Sequence, residues 1–242
     1  MEAPRRSPAC QHRGVRVPRC FAFVDVSGFT ALTDREGDEV AVAMLSDFRS
    51  LVREVCSRRG VRVAKWLGDG AMLVGVEATP VLAALLEMEF AVAQGRLELA
   101  IRSGVSVGEV ILHEGDDYIG HAVNVAARLC DLAPGGEVLA TPEAAEALPR
   151  WGMVLSTESV EIRGLQEPLE VARVGLRPPG AWARPDPVCG IPLTRSVSAN
   201  QAQDAAGREL WFCSDSCRDT WDRRPAPLID EPGSLRTPLI GT

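Results

Sequence analysis

No stretch of this chain is long and apolar enough to span a bilayer, and its first residues lack the apolar central segment of a secretory signal. Neither membrane insertion nor export is expected. Positive charge is not in excess either. The formal net charge is −7 over 242 residues, which argues against general nucleic-acid binding, a function that wants a basic surface. Basic residues are concentrated only at the start, where Arg5, Arg6, Arg13, Arg16 and Arg19 alternate with Pro4, Pro8 and Pro18, so residues 1–18 read as a flexible basic arm. A regular cysteine framework is missing as well. The count is seven, an odd number, and a reducing, cytoplasmic setting follows as the expectation. Cys56 and Cys130 fall in helical segments and read as small buried hydrophobes. No internal repeat is found.

What remains is a chain of ordinary apolar content, enough for one substantial domain and a small one. Cys20 to Val26 is a short apolar run and reads as a buried strand. From Asp34 to Arg58 apolar residues recur at helical spacing until Gly60 stops the helix. Residues 61–67 and 71–76 read as two strands joined by the tight turn Gly68-Asp69-Gly70. Pro80 opens a helix to about Gln94, Leu99 to Val107 is a strand continued by Val110 to Leu112, and Ala122 to Leu132 is a third helix. Glu137 to Ala140 is a short strand, with two more around Gly164. This order predicts an α+β fold with a ferredoxin-like βαββαβ core over residues 19–176. The prolines of residues 177–185 mark a linker, residues 186–225 form a compact cysteine-bearing module, and residues 226–242 read as a disordered tail.

Two aspartates stand out, Asp25 in Phe23-Val24-Asp25-Val26-Ser27-Gly28-Phe29-Thr30 and Asp69 in Lys65-Trp66-Leu67-Gly68-Asp69-Gly70. Each places a carboxylate where an apolar run breaks into glycine. Such a carboxylate is costly unless compensated, and two brought together repel, for which a divalent cation is the usual remedy. The pair reads as a metal-binding, phosphate-handling site. Asn124 and Arg128, four apart, project from one face of a helix.

These two segments, with Arg102-Ser103-Gly104-Val105-Ser106-Val107-Gly108-Glu109-Val110 and Asp117-Tyr118-Ile119-Gly120-His121-Ala122-Val123-Asn124-Val125-Ala126-Ala127-Arg128, resemble a class III nucleotidyl cyclase catalytic domain. The resemblance covers about Arg19 to Val174, with four motifs in the family's order. It implies conversion of ATP to cyclic AMP and pyrophosphate in intracellular signalling. Two Mg²⁺ or Mn²⁺ ions per site would be held by Asp25, Asp69 and the Val26 carbonyl, and phosphates by backbone N–H groups from Val26 to Thr30, Phe29 among them. By the same resemblance Asn124 positions the ribose and Arg128 meets charge on the α-phosphate. Lys65 and Asp117 stand where the purine is read. A lysine donor for N1 and an aspartate acceptor for N6 suit adenine, whereas guanylate-making relatives have glutamate and a small residue there. The family's site is shared between two chains, so a homodimer is implied. A guanylate or mixed-specificity cyclase, or a nucleotide- or metal-sensing domain without turnover, are the alternatives. Trp66 reads as core, and Arg163 as a residue near the triphosphate or a rim charge.

A second cluster is Asp186-Pro187-Val188-Cys189-Gly190 with Gly207 to Cys217. It resembles a YHS-type (TRASH-like) metal-binding module, which implies Zn²⁺ or Cu⁺ on Cys189, Cys213 and Cys217. No histidine lies in the segment to serve as fourth ligand; Asp186, Asp215, water or a partner are the candidates. A thiol cluster without metal is the alternative.

Overall fold

A computed structural model of the chain describes residues 15–113, 117–162, 164 and 167–224. In chain order the elements are β1 (Arg16–Val26), α1 (Phe29–Glu36), α2 (Asp38–Arg59), β2 (Arg62–Leu67), β3 (Gly70–Gly75), α3 (Ala78–Ala93), β4 (Ile101–His113), β5 (Asp117–Ile119), α4 (His121–Leu132), β6 (Glu137–Ala140), α5 (Pro142–Ala145), β7 (Gly152–Val160) and β8 (Leu169–Leu176). The C-terminal segment adds the short strands β9 (Arg184–Pro185), β10 (Pro192–Leu193), β11 (Asn200–Gln203) and β12 (Glu209–Phe212), then α6 (Asp215–Asp222). The main sheet runs β2-β3-β1-β4-β6-β8-β7, with β5 attached to β4. Its first four strands are all antiparallel, and this is the strand order of a βαββαβ unit. Beyond β4 the sheet is extended by a parallel strand, β6, and an antiparallel pair, β8 and β7.

Alternation along β1 separates the two faces of the sheet. Cys20, Ala22, Val24 and Val26 join the cluster formed with α2 and α3. Phe21, with Phe23 packed at its edge, joins Met72, Val74, Val110 and two residues of α4, Ala122 and Ala126. Side chains two apart share a face, so Asp25 belongs with Phe21 and Phe23, on the side of α4.

The helix α4 lies unusually close to the sheet, and Gly104 makes that possible. A Cβ there would stand 2.1 Å from the Cys130 backbone nitrogen and 2.3 Å from the Ala126 carbonyl oxygen. No side chain fits between strand and helix at that point.

Several boundaries differ from the expectations. The strand β1 begins at Arg16, so Arg16 to Pro18, expected in the arm, pair with Glu109 to Ile111 of β4. The single helix expected from Asp34 is two, because Gly37 ends α1 and precedes α2. Residues 117–119, expected in a loop, form β5, and β4 runs without a break to His113. Arg163, the first fourteen residues and residues 225–242 lie outside the described residues.

The segment 186–224 does not build a core of its own. Ile191, Leu193, Trp211, Phe212, Cys213 and Cys217 belong to the same buried cluster as α2 and α3. About forty residues bury too little apolar surface to stand alone, and here they share the larger core. In α3 every residue from Val81 to Met88 is buried, Glu87 included.

Candidate functional site

The end of β1 and the β2–β3 turn meet as the motif spacing suggests. Asp25 is the cross-strand partner of Gly70, and the Val26 N–H points to the Asp69 carbonyl at 3.4 Å. A Cβ at position 70 would lie 2.9 Å from the Val24 carbonyl oxygen and 3.1 Å from Asp25 Oδ1, so only glycine lets the turn close on the carboxylate. Burial, followed by the nearby Asp25 charge, raises the Asp69 carboxyl above its ordinary range. The two acids therefore feel each other, as the sequence implied.

Asp25 has a partner that sequence reasoning passed over. Arg102 lies directly opposite it in the β1–β4 register and donates to Asp25 Oδ2 from Nε at 3.0 Å and from Nη2 at 2.6 Å. Nη1 of the same guanidinium reaches the Asp131 carbonyl at 3.2 Å. Among the described residues, Oδ1 of Asp25 accepts no hydrogen bond. It faces the turn that carries Asp69. A cavity of about 270 Å³ opens here, lined by Asp25, Leu67 and Gly70 together with Ala127, Cys130 and Asp131 of α4.

The backbone donors are narrower than expected. Val26 N–H is turned toward Asp69, and Ser27 N–H is bonded to the Ala100 carbonyl at 2.9 Å, so neither is free for a phosphate. Gly28, with φ of 80°, turns the chain into α1, and no side chain caps that helix. The N–H groups of Phe29 and Thr30 sit in its first turn, where a helix offers donors.

Lys65 and Asp117 come from different strands and form an ion pair through Lys65 Nζ and Asp117 Oδ1. Both stay about half exposed. Hydrogen bonding to the Lys65 ammonium, and its charge, lower the Asp117 carboxyl. A bulge between Val63 and Lys65 sets the register in which Lys65 faces Met72, on the α4 side of the sheet. Lys65 is also the only lysine in the chain; the other cationic side chains are arginines. At this position the compact ammonium is used in place of the planar fork.

Asn124 and Arg128 share the solvent face of α4, while Val125, Ala126 and Leu129 are buried beneath. Arg128 Nη1 lies 3.4 Å from Asp131 Oδ2, one turn on, and neither Asn124 nor Arg128 lines the cavity at Asp25. One chain thus sets Asn124 and Arg128 outside the cavity lining, with Arg128 tied to Asp131 at its edge. Trp66 packs edge-on to Phe48 beneath Arg49 and Arg53, a core position with a cationic lid.

The C-terminal cysteines do converge. Cys213 Sγ is 3.5 Å from both Cys189 Sγ and Cys217 Sγ, and with Asp186 the donor atoms all lie within 4.8 Å of one another. Hydrogen bonds from Cys189 and Cys213 hold the Cys217 thiol below its ordinary range. Asp186 does something sequence reasoning did not foresee. Its Oδ1 accepts the N–H groups of Val188 and Cys189 and its Oδ2 that of Cys213 at 2.7 Å, which pins both cysteine loops. Only one lone pair, on Oδ2, stays open for a metal. By contrast Cys56 and Cys130 are buried thiols pushed up to about 12 by burial, as expected of packing residues.

The model of the adenylate and guanylate cyclase catalytic domain matches residues 17–172. The chain belongs to this family. Two curated relatives named adenylate cyclase come from Streptomyces. That of Streptomyces griseus is 29% identical over 70% of this chain and 46% of its own length, and that of Streptomyces coelicolor is 32% identical over 67% and 44%. The chain thus spans under half the length of these relatives. Among solved structures, the guanylyl cyclase Cya2 aligns with a TM-score of 0.59 at 22% identity, covering 69% of this chain and 97% of Cya2. The adenylyl cyclase CyaB of P. aeruginosa aligns at 0.57 and 24%, again over 69% of this chain and 97% of CyaB. A nucleotide cyclase fold is shared with enzymes named for either base, so the fold itself is silent on the base. Among the described residues, no helix is long and apolar enough to cross a membrane.

Proposed function

We propose that this cyclase domain converts ATP to 3′,5′-cyclic AMP and pyrophosphate at sites shared between two copies of the chain. One observation supports the choice of ATP above others: Lys65 and Asp117 are held side by side as donor and acceptor, each the partner of the other until a base separates them. Adenine offers an acceptor at N1 next to a donor at N6, which matches that order; guanine offers the reverse.

In this reading the residues of one copy hold the triphosphate. The first turn of α1 at Phe29 and Thr30 faces the β- and γ-phosphates, and Arg102, next to Asp25, adds a planar cation beside them. Asp25 and Asp69 are hard oxygen donors whose mutual repulsion, with Oδ1 of Asp25 free, fits a divalent cation such as Mg²⁺ or Mn²⁺. Bound there, such ions supply charge that acidifies the ribose hydroxyl and neutralises the triphosphate. The second copy brings Lys65 and Asp117 to the base, Asn124 to the ribose, and Arg128 to the charge that builds on the α-phosphate. The 3′-oxygen forms its bond to the α-phosphorus as the bond to the bridging oxygen breaks, pyrophosphate leaves, and the hydroxyl proton passes to solvent. The exposure of Asn124 and Arg128 on the outer face of α4, outside the lining of the Asp25 cavity, supports the shared arrangement. So do Leu67 and Ile119, exposed apolar side chains on the two strands that carry Lys65 and Asp117.

The three thiols fit a soft ion, Zn²⁺ or Cu⁺, and we read residues 186–224 as a YHS-like metal-binding segment. Incubation with ATP or GTP, each with Mg²⁺ or Mn²⁺, followed by separation of products, tests the catalytic reading. Cyclic AMP in excess is expected, and cyclic GMP in excess would reverse the base assignment.

A further inference from the structure

We propose that the thiol site is completed by the cyclase fold itself: Arg59, the last residue of α2, is the cation that holds its sulfurs, so filling the site fixes the end of α2 and the start of β2. The inference rests on reading the three cysteines as a metal centre.

Arg59 is buried, at 7% exposure, and its guanidinium is divided between two parts of the chain. Nε donates to Glu87 Oε2 of α3 at 2.7 Å, and Nη2 lies 2.6 Å from the same oxygen. On the other side Nη1 donates to Ser214 Oγ at 3.0 Å, and Nη2 lies 3.1 Å from Cys213 Sγ and 3.8 Å from Cys189 Sγ. The ring of Trp151 lies under the same group, 5.7 Å from its carbon, and the Trp151 indole N–H donates to the Cys213 carbonyl at 3.3 Å. Cys213 is therefore gripped by α2 and by the residue that leads into β7, not by its own segment alone.

The carboxylate that Arg59 rests on is not its own. Arg58 also lies on Glu87, and Glu54, its second partner at 3.5 Å, is shared with Arg96 at 3.0 Å. Among the described residues three guanidiniums stand on two carboxylates, so Glu87 does not by itself neutralise both Arg58 and Arg59. Incompletely compensated buried charge is costly, and the sulfurs are the other acceptors within reach of Arg59. The balance also bears on the occupant. With Asp186 counted, arginines and carboxylates cancel, and three thiolates call for positive charge from the ion. A divalent ion leaves one negative charge where a monovalent ion leaves two, which favours Zn²⁺ over Cu⁺.

The reach of the effect follows from the chain path. Only Gly60 and Val61 separate Arg59 from β2, whose Lys65 is half of the base-reading pair and whose hairpin ends in Asp69. Ordering at the thiols is thereby passed to the strand that serves the active site.

Hydrogen exchange of the metal-free, full-length protein with and without Zn²⁺ tests this without any variant. Zn²⁺ should slow exchange over residues 56–67 as well as 213–222. Slowing confined to residues 186–222 would overturn the inference and leave the metal reading standing. Failure to retain about one equivalent of Zn²⁺ on dialysis would overturn both. Arg59→Gln should bind Zn²⁺ about 10- to 100-fold more weakly, as loss of an outer partner does, and should lose the slowing in β2. Affinity and exchange unchanged from the parent chain would also overturn it.

Discussion

If Lys65 and Asp117 read the base as proposed, residue identity more than residue position sets what the site accepts. Each neutralises the other now, and each offers one half of an adenine pattern. The double change Lys65→Glu with Asp117→Gly should move preference from ATP toward GTP, seen as a fall in the cyclic AMP to cyclic GMP ratio by at least about tenfold, the cost of about one mispaired hydrogen bond. An unchanged ratio would mean that the base is read elsewhere. Asp69 makes a different point. Its pKa is raised in the fold, so its contribution to stability is full below the ordinary aspartate range and is lost as pH rises through the raised value. At neutral pH the ionised Asp69 therefore weighs against the fold. In metal-free protein Asp69→Asn should raise Tm by roughly 1–3 °C at pH 7, allowing for solvent screening of this half-buried acid. The gain should vanish near pH 3.5 while catalysis is lost at every pH; a lower Tm at pH 7 would contradict the repulsion. Both aspartates, the lysine, the asparagine and the arginine were legible as residue types at motif positions. Arg102 was not assigned a role, because its pairing with Asp25 depends on the β1–β4 register and not on separation along the chain. Arg59 was hidden for the same reason, meeting Cys213 from the far end of another helix.

The elements were more legible than their ends. Alternation in β1, the helical stripe from Met44 to Val55 and the tight turn at Asp69 all follow from local chemistry. The break at Gly37 and the early start of β1 do not, since the first needs a glycine to act as a hinge between two amphipathic pieces and the second needs a partner strand. The two glycines of Arg102 to Val110 gain their meaning only when α4 is docked. Gly104 lies under the backbone of α4, and Gly108 under Ala122. Replacing Gly104 with alanine must displace the helix that carries Asn124 and Arg128. We expect a loss of about 1–3 kcal/mol in stability and a fall in kcat with little change in oligomer content. A variant with the parent's denaturation midpoint would show that α4 is not so closely seated.

At the scale of the molecule, the C-terminal segment is part of the cyclase core more than an appendage. Deleting residues 178–242 would remove Ile191, Leu193, Trp211 and Phe212 from the buried cluster they share with α2 and α3, and leave Arg59 without its second set of partners. The shortened protein should be less stable or aggregate, measured by thermal unfolding and light scattering; a monodisperse product with unchanged Tm would mean that the segment only rests on the domain. Composition suggested a separate small module there, and the sharing was illegible because contacts such as that of α2 with α6 join residues far apart in the chain. The larger claim is that one chain holds two halves of different sites, Asp25 and Asp69 in one and Lys65, Asp117, Asn124 and Arg128 in the other. Mixing two inactive variants, Asp25→Ala and Arg128→Ala, tests it most directly. If two copies build each site, half the dimers in an equal mixture are mixed and each has one intact site, so cyclic AMP formation should return to about a quarter of the parent's rate. No recovery on mixing, with both variants folded and paired, would contradict the shared site.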